Sequence, residues 1–209
     1  MIRNRVRFRF RKEDELRLIS HRDLVRAFER LFRRAGLCLS MSEGFHPRPR
    51  MTFPSALSLG IIGRDEVMEV ELAEPYTPEE LFARLAPHLP PGLSIDRIEC
   101  LPPPARKARI RGVEFEVPVP RPLQDQVRQR VDSLRALQTC WVDRRGGRRR
   151  VEVRGDLESI EISGGQLRLR LRFSPQGGAQ CRDVLEALGL GDLEQQGVCI
   201  CRSRVELEA

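Results

Sequence analysis

Residues 5–36 read RVRFRFRKEDELRLISHRDLVRAFERLFRRAG, and a change of hydrophobic period inside this stretch decides the fold class. From Arg5 to Arg11, arginine alternates with Val6, Phe8 and Phe10. A period of two puts apolar side chains on one face of a strand and charge on the other. From Ser20 the period becomes helical, with Leu24, Phe28, Leu31 and Ala35 recurring on one face. Ser20 is the predicted N-cap, Asp23 the predicted partner closing a capping box, and Gly36 the predicted stop.

The same reading carries outward along the chain. A strand near 39–42 leads into the loop SEGFHPRPRMTF (42–53), and the chain returns through 51–59. EVMEVELAE (66–74) alternates as a strand. TPEELFARLAPHL (77–89) has Thr77 as a cap and Pro78 at the first helical position, and LSIDRIECL (93–101) is the closing strand. The order is β-α-β-β-α-β. PPPARKAR (102–109) is proline-rich and charged, and reads as a linker. Beyond it VEFEVPVP (113–120), RRRVEVRG (148–155), QLRLRLRF (166–173) and VCICRSRVELE (198–208) read as strands. LQDQVRQRVDSLRAL (123–137) and CRDVLEALGL (181–190) read as helices, so the same order recurs without a residue-level repeat. These patterns predict an α+β protein of two tandem ferredoxin-like domains with antiparallel sheets, 1–101 and 110–209, joined by 102–109.

Composition narrows the partners. The 209 residues carry a net charge of +7, which favours an anionic partner and nucleic acid over a membrane surface. No run approaches the roughly 18 apolar residues that a membrane span needs, and no signal peptide is legible, so a cytoplasmic protein is expected. Six scattered cysteines, without CxxC or CxxxCxxC, are expected to be free thiols. Cys199 and Cys201 read as ordinary strand residues, and no metal site is expected.

Charge is concentrated early. Met1–Arg50 holds fourteen Lys and Arg against six Asp and Glu, so the remainder is slightly acidic. The outward arginines of the first strand, Arg5 to Arg11, have Glu69 and Glu71 on the predicted neighbouring strand. In the second half Glu114 and Glu116 face Arg168, Arg170 and Arg172, so both sheets are expected to carry self-cancelling ladders. Arg22, Arg26, Arg30 and Arg33 form a stripe on the first helix, with His21 at its beginning. In the loop, Gly44 permits unusual backbone angles, while Pro47 and Pro49 extend the chain around His46, Arg48 and Arg50. Ser42, Gly44, Phe45, His46, Arg48 and Arg50 are therefore expected to form a stiff basic clamp, working with His21 and the stripe.

The run LRLISHRDLVRAFERLFRRAGLCLSMSEGFHPRPRMTFPSALSLG (16–60) closely resembles the radical-SAM-linked protein family, a bacterial domain found beside or fused to a radical SAM protein. The matching features are Ser20-His21 with Asp23-Leu24, Phe28-Glu29-Arg30, Arg33 to Gly36, Ser42-x-Gly44-Phe45, Pro47-Arg48-Pro49 and Ser55 to Gly60. Arg22 and His46 depart from the Leu and Asn more usual there. The resemblance implies a noncatalytic accessory module. The iron–sulfur cluster and S-adenosylmethionine would then belong to the radical SAM partner, with no cofactor on this chain. The expectation is that the chain binds or presents tRNA or rRNA. The alternatives are a metal-independent endoribonuclease using His21, although the C-terminal glycine-rich signature of such enzymes is missing, and a pure protein adaptor.

Overall fold

Alternation in the opening stretch is realised as strand β1 (Asn4–Lys12), whose Val6, Phe8 and Phe10 are buried. The computed structural model describes residues 4–104, 106–144, 149–174 and 177–208. It is a mixed α+β structure with mostly antiparallel sheet and four α-helices among these residues. The chain divides into two compact units, Met1–Arg109 and Ile110–Ala209.

In the first unit β1 is followed by α1 (His21–Arg34), β2 (Met51–Thr52), β3 (Ile62–Leu72), α2 (Pro78–Leu85) and β4 (Leu93–Leu101). β1 lies between β3 and β4, antiparallel to both, and β2 pairs with β3 through Met51 opposite Val70. Val6, Phe8 and Phe10 share one core with Leu24, Phe28 and Phe32 of α1 and Leu81 and Leu85 of α2. The Phe10 and Phe28 rings meet edge-on at 5.0 Å. Ser20 Oγ accepts the Asp23 N–H at 3.2 Å and donates its hydroxyl to the Asp23 carboxylate at 2.7 Å. Asp23 thus closes the cap on the hydroxyl, where a capping box would use the Ser20 amide. α2 has the full box between Thr77 and Glu80, but gives way to a 3-10 turn at Ala86–His88. Pro87 has no N–H to continue the α-helical ladder.

Two predicted strands shrink. Around 39–42 only the bridges Leu39–Leu72 and Met41–Pro49 form, and from 51–59 only Met51–Thr52 pairs regularly. Pro49 and Pro54 remove two of the donors that longer ladders would need.

The second unit contains β5 (Ile110–Pro118), α3 (Gln124–Ala136), β6 (Trp141–Asp143), β7 (Arg150–Glu152), β8 (Leu157–Ser163), β9 (Gln166–Arg172), α4 (Cys181–Ala187) and β10 (Cys201–Leu207). Its order is β10-β5-β9-β8. The predicted strand at 148–155, whose first residue lies outside the described residues, does not join this sheet. Its residues Arg150–Glu152 pair with Trp141–Asp143 in a separate hairpin. LESIEIS (157–163) takes the place beside β9. A register shift between Leu157 and Ser159 breaks its alternation, which hides the strand from a period-two reading. Gly164 and Gly165, at φ +57° and +75°, form the tight turn into β9.

Both charge ladders form. Arg5–Glu71 and Arg7–Glu69 close at 2.9 Å, and Arg9–Asp65 and Arg11–Asp96 at 2.6 and 2.7 Å. In the second unit Arg168 reaches Glu116 at 3.4 Å, and Arg170 reaches Glu114, Glu158 and Glu206.

Candidate nucleic-acid interface

The loop at 42–53 opens as an irregular hairpin whose limbs are tied to β3. Glu71 receives the Ser40 N–H on its carbonyl at 2.8 Å and donates its own N–H to the Arg50 carbonyl at 2.9 Å. Arg50 N–H donates to the Ser40 carbonyl at 2.8 Å. Nearer the tip, Ser42 N–H donates to the Arg48 carbonyl at 2.8 Å, and Arg48 N–H returns a bond to Ser42 Oγ at 3.0 Å. Residues 43–47 project beyond these ties. Gly44 turns the tip at φ +119°, a conformation L side chains rarely adopt. Phe45 and His46 are exposed.

Beside the hairpin lies a cleft of about 350 Å³, whose lining includes Arg5, Ser42, Arg48, Arg50, Glu69, Glu71 and Lys107. The carboxylates are already engaged. Glu69 holds Arg7 at 2.9 Å and accepts the Ala108 N–H on both oxygens, at 3.1 and 3.2 Å. Glu71 holds Arg5. Arg50 is a brace for the hairpin: its Nε donates to the Met41 carbonyl at 3.0 Å, and its guanidinium lies 3.7 Å from Glu43 and 3.9 Å from Glu71. Among the described residues, Arg48 and Lys107 have no ion-pair partner. Two uncompensated cations therefore face a polar cleft, a local arrangement suited to a phosphate group.

His21 meets the loop at its last residue, Phe53. The His21 ring stands edge-on to Phe53 at 5.2 Å, and Phe53 in turn packs against Phe28 at 5.7 Å. Burial, followed by the nearby Lys12 charge, pushes the His21 pKa below its ordinary 6.5, so the imidazole is neutral at pH 7. Lys12 continues the inward parity of β1 and is fully buried, its ammonium donating to the Ile19 carbonyl at 2.9 Å. Arg22, Arg26, Arg30 and Arg33 are exposed on α1, with Arg26 3.4 Å from Asp23. α1 packs on the Phe8–Phe10 face of the sheet, whereas Arg5, Glu69 and Glu71 of the cleft belong to the opposite face. Of the expected clamp, Ser42, Arg48 and Arg50 thus line the cleft on the face of Arg5, Glu69 and Glu71, while His21 meets the same loop at Phe53, on the face that α1 covers.

Sequence reasoning missed Arg5 and Lys107 as cleft residues. Arg5 looked consumed by its ladder. Lys107 looked like part of a tether, 102–109, of which residue 105 lies outside the described residues. The bonds from Ala108 to Glu69 instead draw the end of that segment onto the first unit. Nothing in the local pattern signals this contact, because its partners are 39 residues apart. Among the described residues no group of three or more His, Cys, Asp or Glu is placed to hold a metal ion, and no helix is long and apolar enough to cross a membrane.

Comparison with known proteins adds a family. The sequence profile of a family described as "Uncharacterized protein conserved in bacteria (DUF2344)" matches residues 5–182. No curated protein matches. Among solved structures, the chain is similar to an unknown protein from Galdieria sulphuraria, at 15% identity and a TM-score of 0.30 over 100% of both chains. It is also similar to a protein named provisionally as a glycine cleavage system transcriptional repressor, at 12% identity and a TM-score of 0.25 over 99% of this chain and 97% of that one.

Proposed function

The chain belongs to the bacterial family DUF2344, and on that premise we propose that it is a noncatalytic, cytoplasmic RNA-binding module. In this reading it presents tRNA or rRNA to a radical SAM enzyme that carries the iron–sulfur cluster and S-adenosylmethionine. The radical SAM partner rests on the resemblance of residues 16–60. The RNA rests on one observation: Arg48 and Lys107 face the cleft without ion-pair partners among the described residues, while the sheet arginines beside them are matched to carboxylates. We also read both units as ferredoxin-like, which their element order, the order β4-β1-β3 with β2 pairing β3, and the order β10-β5-β9-β8 support.

The test is binding of labelled cellular tRNA and rRNA fragments across a salt series. Affinity is expected to fall steeply with salt, and Arg48→Gln and Lys107→Gln are each expected to weaken it about tenfold and to reduce the log–log salt slope by about one. RNA binding that is indifferent to salt and to both substitutions overturns the reading.

A further inference from the structure

Phe45 is the most exposed of the large hydrophobic side chains among the described residues, at a relative exposure of 101%. Its ring touches no other aromatic or cationic side chain there. The hairpin does not need it. The Ser42–Arg48 bonds fix the limbs below the tip, and nothing lies within 4 Å of where a side chain on Gly44 would begin. A phenyl ring held in water on a braced frame contributes nothing to the core of its own chain, and the backbone beneath it loses little freedom when a ligand arrives.

The surroundings select the ligand. Arg48 lies at the foot of the tip with no ion-pair partner among the described residues, His46, next to Phe45 in sequence, is exposed, and the cleft that Arg48 lines is lined also by Lys107. Glu43, the one acid at the tip, lies 3.7 Å from Arg50. An apolar protein pocket closing on Phe45 would strip water from Arg48 without replacing it. A nucleotide offers both partners at once, a base face for the ring and a phosphate for the guanidinium. In a duplex the base faces are covered by their neighbours, whereas loops, bulges and ends leave them free.

We propose that Phe45 stacks on an unpaired base, so that the hairpin selects single-stranded or looped RNA over duplex. The proposal rests on the RNA-binding reading above and goes further in naming the form of RNA and the residue that senses it.

The experiment compares the full chain with its Phe45→Ala, Phe45→Leu, Phe45→Trp and Arg48→Gln variants. Each is titrated by fluorescence anisotropy with a short labelled single-stranded RNA and with the blunt duplex of the same sequence. Positions 45 and 48 are both exposed, so these variants keep the fold. Phe45→Ala and Phe45→Leu are expected to weaken single-strand binding about tenfold while leaving duplex binding unchanged. Phe45→Trp should retain affinity and show quenching of the new indole, measured against the background of Trp141. If Phe45→Ala binds single strands like the parent while Arg48→Gln binds weakly, stacking is wrong and the RNA reading survives. If the parent binds neither RNA in a salt-dependent way, both fail. If Phe45→Ala keeps full RNA affinity but loses a protein that co-purifies with the parent, the tip is a protein-docking element and the proposal is overturned.

Discussion

Ser42 and Arg48 are joined twice, Ser42 N–H to the Arg48 carbonyl at 2.8 Å and Arg48 N–H to Ser42 Oγ at 3.0 Å. The second bond is the one that loss of the serine hydroxyl removes. Ser42→Ala is therefore expected to destabilise the hairpin locally by about 1 kcal/mol, while Ser42→Thr keeps the acceptor. Amide hydrogen exchange is the measurement, with protection expected to fall at Arg48 in the alanine variant. Equal protection in parent and Ser42→Ala would show that the hydroxyl does not brace the tip.

Lys12 occupies a core position of β1 with its ammonium on the Ile19 carbonyl. The contact ties the segment before α1 to the sheet, and its charge has no access to water. Lys12→Ala removes the cation and leaves a cavity where the aliphatic stem lay, with an expected loss of about 3 kcal/mol in urea unfolding. Lys12→Met keeps most of the stem and is expected to cost less. A methionine variant no more stable than the alanine one would mean that the stem contributes no packing.

His21 gives a pH dependence of definite sign. Its pKa in the folded chain lies below the ordinary 6.5, first because of burial and then because of Lys12. The unfolded chain therefore binds the proton more readily, so this contribution to stability is complete above about pH 6.5 and is lost as the pH falls through the folded-state value. His21→Gln should flatten that part of the profile, and Lys12→Met should raise the His21 pKa by removing a neighbouring positive charge. An NMR titration reads both, and a His21 pKa at or above 6.5 in the parent would contradict the packing against Phe53.

What the sequence determined by itself was local. The arginine–apolar alternation of β1, the Ser20 cap of α1 and the Thr77 cap of α2 with Pro78 each depend on residues a few positions apart, and all three are present in the structure. Opposite charges at matched parity also foretold both ladders, since parity alone puts Arg5 and Glu71 on one face. β8 is hidden because the shift between Leu157 and Ser159 interrupts its period, and the alternation of 148–155 does not say which sheet a strand joins, so its residues 150–152 pair in a different one. The candidate site belongs to tertiary structure. Only folding could set the end of the 102–109 segment against Glu69, engage Arg50 within the hairpin, leave Arg48 and Lys107 at the cleft, and set His21 against Phe53 on the face that α1 covers. Which cations stay available to a ligand depends on which carboxylates the fold brings to their neighbours, and spacing along the chain does not carry that information.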